Sequence, residues 1–300
     1  MVFGPTTPRP SAFYDGGLPP GDPRPDLPAK IMLERIETVS GRRPREAFRM
    51  LRRIAYLDEE YGEILVPADL DTFETDFASV PTLLTWLVPK TGAHLPAALV
   101  HDGLVGGRDY FATRNPPDDD PIDRVGADLV FRRAMRDSGI PLIRRWLVWS
   151  AVTLGTIWHG SESWSRRQHL RYLIAAFGSL LLVAALGVAA TLDLFDVVAW
   201  LPWMGADRGL LLELAGGLAG AIVIPLLLGL TWGRFAIAGA VTGIALALLL
   251  HVTALLLGLT VIYQAAERVA RRTPYAGLVA TALVIAASLV LTVLLVGTSG

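Results

Sequence analysis

Four stretches, residues 172–192, 214–233, 235–266 and 273–300, contain no Asp, Glu, Lys or Arg and are dominated by Leu, Ala, Val and Gly. A helix crosses the hydrocarbon core of a bilayer with about 20 apolar residues, so each stretch is long enough to span. The charge distribution sharpens the contrast. Of the 55 Asp, Glu, Lys and Arg residues, 45 fall in 1–172 and 10 in 173–300. The first part has the charge density of a soluble domain and the second does not. A wholly soluble chain, a disordered chain and a nucleic-acid binder are all disfavoured, the last because a net charge of -1 gives no long-range attraction to phosphate.

The pattern predicts four transmembrane helices at about 172–192, 210–232, 236–263 and 275–297. Trp200 and Trp203, in the loop carrying Asp193, Asp196 and Asp207, suit the headgroup level and mark an interfacial segment. Gly216/Gly220 and Gly239/Gly243 are small-residue pairs that admit close approach. His251 stands alone at mid-span, more in keeping with a neutral imidazole bonded to a neighbouring helix than with a transport pathway. Residues 1–28 hold eight prolines and no apolar export segment. Arg166, Arg167 and Arg171 precede the first span. The N-terminal domain is therefore expected in the cytoplasm, on a membrane anchor.

The expected organisation is a disordered Pro/Gly-rich tail at 1–29, a soluble α+β domain at 30–160, a basic linker at 161–171 and a transmembrane region at 172–300. Within the soluble domain, 48–56 and 63–66 read as strands around a polar turn at 58–61. Helices follow at 81–88, with Ser79 as cap, then at 95–104, 123–137 and 141–158. The last has a charge-free run too short to span, and it serves better as a core element than as a surface-lying helix. The fold class is α+β, a short meander followed by a helical cluster.

Two groups of residues can do chemistry. Thr75-Asp76-Phe77-Ala78-Ser79-Val80-Pro81 is a polar loop entering a helix, and His101-Asp102 sits on the otherwise apolar 95–104 helix. Burying a histidine and a carboxylate in such a helix is costly unless they are paired. Asp128 lies on the next long helix; if the two pack antiparallel, its carboxylate reaches the His101 imidazole and stabilises the charged ring, as a general base requires. Asp102 points about 100° around the helix from His101, toward a cation or Asp76. The competing reading is a buried hydrogen-bond network that only specifies packing. Asp118-Asp119-Asp120 reads as a solvated loop. No cysteine is present, which excludes disulfides and thiolate chemistry. Phosphate-loop, nucleophile-elbow and zinc-helix motifs are also missing.

Thr75-Asp76-Phe77-Ala78-Ser79-Val80-Pro81, Trp86, Gly92, His101-Asp102, Arg124, Ala127-Asp128, Phe131 and Met135 together resemble domain of unknown function 1353, over about residues 50–158. The resemblance implies phage or bacterial association and no established activity. That family usually has a Tyr three residues after the Asp, where this chain has Val105. In layout the chain also resembles the phospholipases A2. That likeness implies His101 as base, Asp128 as its orienting carboxylate, and Asp102 with Asp76 as ligands of Ca2+. It lacks their Gly-rich calcium loop and cysteine framework. Two readings result: a membrane-tethered hydrolase with catalytic His101, Asp102 and Asp128, supported by Thr75 and Ser79, or a non-catalytic envelope or phage-derived interaction module on an anchor. The partners expected are the lipid bilayer and, under the second reading, an envelope or phage protein; nothing points to nucleic acid or sets the oligomeric state.

Overall fold

The structure is a computed structural model describing residues 9–18, 21, 23–40, 43–75, 92–105, 109–114, 121–204, 209–272, 282, 285 and 286. The chain forms two compact units, Met1–Leu248 and Leu249–Gly300. Within the first, a β-rich region precedes a helical region, in agreement with the α+β expectation.

The strands are β1 (Phe13–Asp15), β2 (Arg24–Pro28), β3 (Leu33–Ser40), β4 (Arg43–Met50), β5 (Ile54–Asp58), β6 (Gly62–Val66), β7 (Glu74–Thr75) and β8 (Phe111–Ala112). They form a five-stranded sheet of order β2-β1-β5-β6-β8 and a three-stranded sheet of order β3-β4-β7. The β5–β6 hairpin turns where the sequence places it. Asp58 Oδ1 accepts the backbone N–H groups of Glu60 (3.0 Å) and Tyr61 (3.1 Å), a local bond that favours a turn over a continued strand.

Two expectations are corrected here. The strand expected at 48–56 is interrupted: β4 ends at Met50 in one sheet and β5 begins at Ile54 in the other. The Arg53 backbone instead bonds the turn after β1, through Gly16 N–H to Arg53 O (3.1 Å) and Arg53 N–H to Gly17 O (3.2 Å). The tail expected to be disordered contains β1 and β2. Composition missed the long-range partners of this segment, which are Phe13 against Tyr56 with ring centres 4.7 Å apart, Arg52 on the buried Asp15 carboxylate, and Arg9 on Asp137 at 2.8 Å.

The helices are α1 (Leu95–Val105), α2 (Arg124–Asp137), α3 (Leu142–His159), α4 (Arg166–Leu194), α5 (Leu210–Gly229) and α6 (Ala236–Arg272). Asp123 caps α2, its Oδ1 accepting Gly126 N–H at 2.8 Å. Buried Val148, Trp149, Val152, Thr153 and Ile157 place α3 in the core. The helix expected at 81–88 lies outside the described residues.

Among the described residues two stretches, not about four, are long and apolar enough to cross a membrane: Arg166–Leu194 and Leu211–Val252. Only 17% and 22% of their apolar windows are buried within the molecule, unlike the core helices of a soluble protein. The second stretch merges two expected spans and turns at Gly233 (φ 61), a backbone conformation costly for other residues. Beyond the turn α6 returns along α5, and a Cβ on Gly243 would stand 2.8 Å from Pro225 Cβ. Gly216 and Gly220 instead receive Trp203. The span expected at 275–297 lies outside the described residues, apart from 282, 285 and 286. His251 is exposed on α6.

The packing of α1 on β6 depends on Gly103, where an added Cβ would lie 2.6 Å from Val66 Cγ1 and 3.2 Å from Asp109 O. Gly103→Ala should therefore destabilise the domain by about 1–3 kcal/mol, although glycine-to-alanine in an open helix is worth about 1 kcal/mol in the other direction. Denaturant unfolding of the solubilised chain measures the sign. Gly155→Ala, where a Cβ meets nothing within 4 Å, is the control.

Candidate functional site

The apolar run of α1 buries Ala97 to Val100 and Leu104 against the sheet and α2, and that burial carries His101 inside with them. His101 is 6% exposed and Asp128 2%. The structure brings the two together across α1 and α2: His101 Nε2 lies 3.0 Å from Asp128 Oδ1. Phe131, one turn further along α2, covers the imidazole with ring centres 4.9 Å apart. On the other side of the ring, Asp102 Oδ1 is 3.9 Å from Nδ1, a distance at which it acts by charge rather than by a hydrogen bond. Asp102 turns to the sheet, where its Oδ2 accepts the Thr75 hydroxyl of β7 at 2.5 Å. The sequence marks both residues but gives no means of pairing them, because the register of β7 on β4, Phe48 opposite Thr75, is a tertiary matter. Asp76, Ser79, Phe77, Trp86 and 118–120 lie outside the described residues.

The network is incomplete. His101 Nδ1 and Asp128 Oδ2 are buried and have no hydrogen-bond partner among the described residues, whereas a purely structural network normally satisfies its buried polar atoms. Burial alone would lower the imidazole pKa. The carboxylates of Asp102 and Asp128 outweigh it and push the ring up to about 9. At neutral pH the resting site is therefore an imidazolium held by Asp128, ready to give a proton; it takes one only after losing its own. Among the described residues no group of three or more His, Cys, Asp or Glu is placed to hold a metal. Ca2+ takes six to eight oxygens, and one Asp102 oxygen is already engaged by Thr75. The calcium expectation thus has no ligand set among the described residues.

Sequence reasoning missed a second charged group at the β5–β6 turn and the end of α2. Arg133 binds Asp58 with two bonds, at 2.8 and 2.9 Å. The buried Asp137 receives Arg136 (2.8 Å), Arg9 (2.8 Å) and the Tyr56 hydroxyl (3.0 Å), and Arg136 also reaches Glu59 at 2.6 Å. Burial would raise the Asp137 carboxyl, but the two arginines overcome that and hold it below the usual carboxylate range. Each acid here meets a cation, so the cluster fastens the fold.

Residues 48–152 match the family described as Protein of unknown function (DUF1353). The matched segment runs from β4 into α3 and so includes Thr75, His101, Asp102 and Asp128. Neither a comparison with curated proteins nor one with solved structures finds a match.

The raised imidazole pKa has a stability consequence with a definite sign. A group moved from 6.5 unfolded to about 9 folded contributes stability that is fully present below pH 6.5 and lost as pH rises through 9. The contribution is on the order of 3 kcal/mol. Denaturant unfolding of the wild type should weaken between pH 6.5 and 9.5 by roughly that amount relative to His101→Gln. Parallel pH profiles for the two proteins would contradict the charge assignment.

Proposed function

We propose that this chain, with its matched domain of unknown function, is a membrane-anchored hydrolase in which His101 and Asp128 form an acid–base pair acting on an ester of the membrane or envelope. The observation that carries the reading is the 3.0 Å bond between two buried ionisable groups, each with a further polar atom that has no partner among the described residues. In this scheme neutral His101 takes a proton from the water that attacks the ester carbonyl, then returns it to the leaving alkoxide. Asp128 stabilises the imidazolium in between. Asp102, the more exposed of the two carboxylates, is the group through which protons reach solvent.

The anchor supports an interfacial substrate. The apolar side chains Leu170, Ile174, Leu181 and Val188 stand exposed along α4, as do Leu211, Leu218 and Leu227 along α5. Such a surface is stable in lipid and not in water. We place the domain on the cytoplasmic side of a bacterial membrane. Supporting that orientation, Arg166, Arg167, Arg171 and Arg234 all lie at the domain end of the helices, and Arg234 stacks on Trp164 of the linker at 5.4 Å. Holding the site beside its substrate raises the local concentration. The layout shared with the phospholipases A2 adds phospholipid as the first substrate to try.

A second reading, an envelope or phage-derived interaction module without catalysis, is favoured by the enclosure of His101. The two are separated with the full chain in nanodiscs, assayed on phospholipid with calcium and with chelator. The hydrolase reading expects kcat/KM to rise with pH toward a plateau above 9, and His101→Gln and Asp128→Asn to lose about 10²–10⁴-fold while both variants stay folded. Activity unaffected by these changes, or none on any ester tried while His101→Gln fails to fold, gives the site to the interaction module. Carbonate extraction should leave the chain in the membrane fraction; release would overturn the anchor.

A further inference from the structure

Two arginines at the α2–α3 corner, Arg132 and Arg145, form no ion pair among the described residues, although Arg133 and Arg136 on the same helix as Arg132 are fully engaged. Arg132 is half-buried, its guanidinium 5.0 Å from the ring centre of Trp146 and 4.8 Å from that of Trp149. The two indoles meet edge to face at 5.3 Å and hold the group in place. Burial, then the like charges of Arg133, Arg145 and Arg136, lower the Arg132 pKa. Arg145 is likewise lowered, by burial first and by Arg136, against the opposing attraction of the Asp137 carboxylate. A fixed, part-desolvated cation facing other cations is unfavourable until an anion reaches it. Beside these arginines, in the same first turn of α3, Leu142 and Ile143 are 56% and 76% exposed.

We propose that Arg132 and Arg145, with Leu142 and Ile143, form a docking site for an acidic protein segment carrying apolar side chains. A planar guanidinium pinned on tryptophan presents its donors to a carboxylate in one fixed orientation. The neighbouring Leu–Ile pair takes an apolar residue of the same segment. The choice of protein over lipid rests on the anchored reading. Asp123, before the first residue of α2, binds Ser161 (3.1 Å) and Ser163 (2.6 Å) of the linker that leads into α4. That end of α2 therefore faces the membrane. The 14 residues of α2 carry its other end about 21 Å away, so the arginine corner lies at the end of α2 remote from the linker into the first span.

The test uses the full chain in zwitterionic nanodiscs and a fluorescein-labelled peptide alternating Glu and Leu, followed by anisotropy. A Gln/Leu peptide and phosphatidylglycerol vesicles serve as the other probes. The Glu/Leu peptide should bind, weaken as salt rises, and lose about ten-fold or more in Arg132→Gln and in Arg145→Gln. Ile143→Ser, at an exposed position, should weaken binding several-fold without touching the fold. Equal binding of the Gln/Leu peptide, undiminished binding to the variants, or capture of vesicles in preference to the acidic peptide would overturn the proposal. Hydrolytic activity does not enter any of these readouts, so this site can fail while the His101 site stands, and the reverse.

Discussion

Burying an ionisable pair between α1 and α2 is the constraint around which the domain is arranged. Neither His101 nor Asp128 can enter an apolar interior alone without a cost of several kcal/mol. Across two packed helices each supplies the charge the other requires. That requirement fixes the register of α1 on α2, because sliding either helix by one residue would separate the groups. The rest of the core serves this placement. Gly103 lets α1 approach β6, Asp123 starts α2 at the right residue, and the β4–β7 pairing delivers Thr75 to Asp102.

A second consequence concerns electrostatic state. Two carboxylates near one imidazole overcome the burial that would otherwise keep it neutral. A site of this kind differs from the common picture of a neutral histidine waiting to accept a proton. It stores a proton, and its chemistry as a base belongs to alkaline conditions. Asp128 Oδ2 and His101 Nδ1, without hydrogen-bond partners among the described residues, make the arrangement less stable than a fully bonded network would be. In the hydrolase reading that deficit is what leaves the ring free to act.

The helices of this domain were legible in the sequence because their signals are local. The apolar periodicity that gives 95–104, 123–137 and 141–158 places α1, α2 and α3 to within a residue or two. The facing of His101 and Asp128 was legible as well, since antiparallel neighbouring helices leave few alternatives for two costly groups. What escaped depends on distant partners. A Pro-rich composition hides Phe13, Asp15 and Arg9, whose partners lie 37 to 128 residues away. The break between β4 and β5 is set by the Gly16–Gly17 turn. The arginine network is invisible to periodicity, because Arg133 and Arg136 look like the solvated face of an amphipathic helix until β5 and its turn are in place. In the apolar half, the sequence separated 210–232 from 236–263 close to the turn at Gly233, but it read about four spans where two stretches qualify among the described residues.

The most direct measurement is an NMR titration of the His101 imidazole in ¹⁵N-histidine-labelled protein, with Asp128→Asn alongside. The account requires a ring that remains protonated at neutral pH, titrates near 9, and moves to lower pH when the Asp128 charge is removed. A ring already neutral at pH 7, or one whose titration ignores the Asp128 substitution, would contradict it.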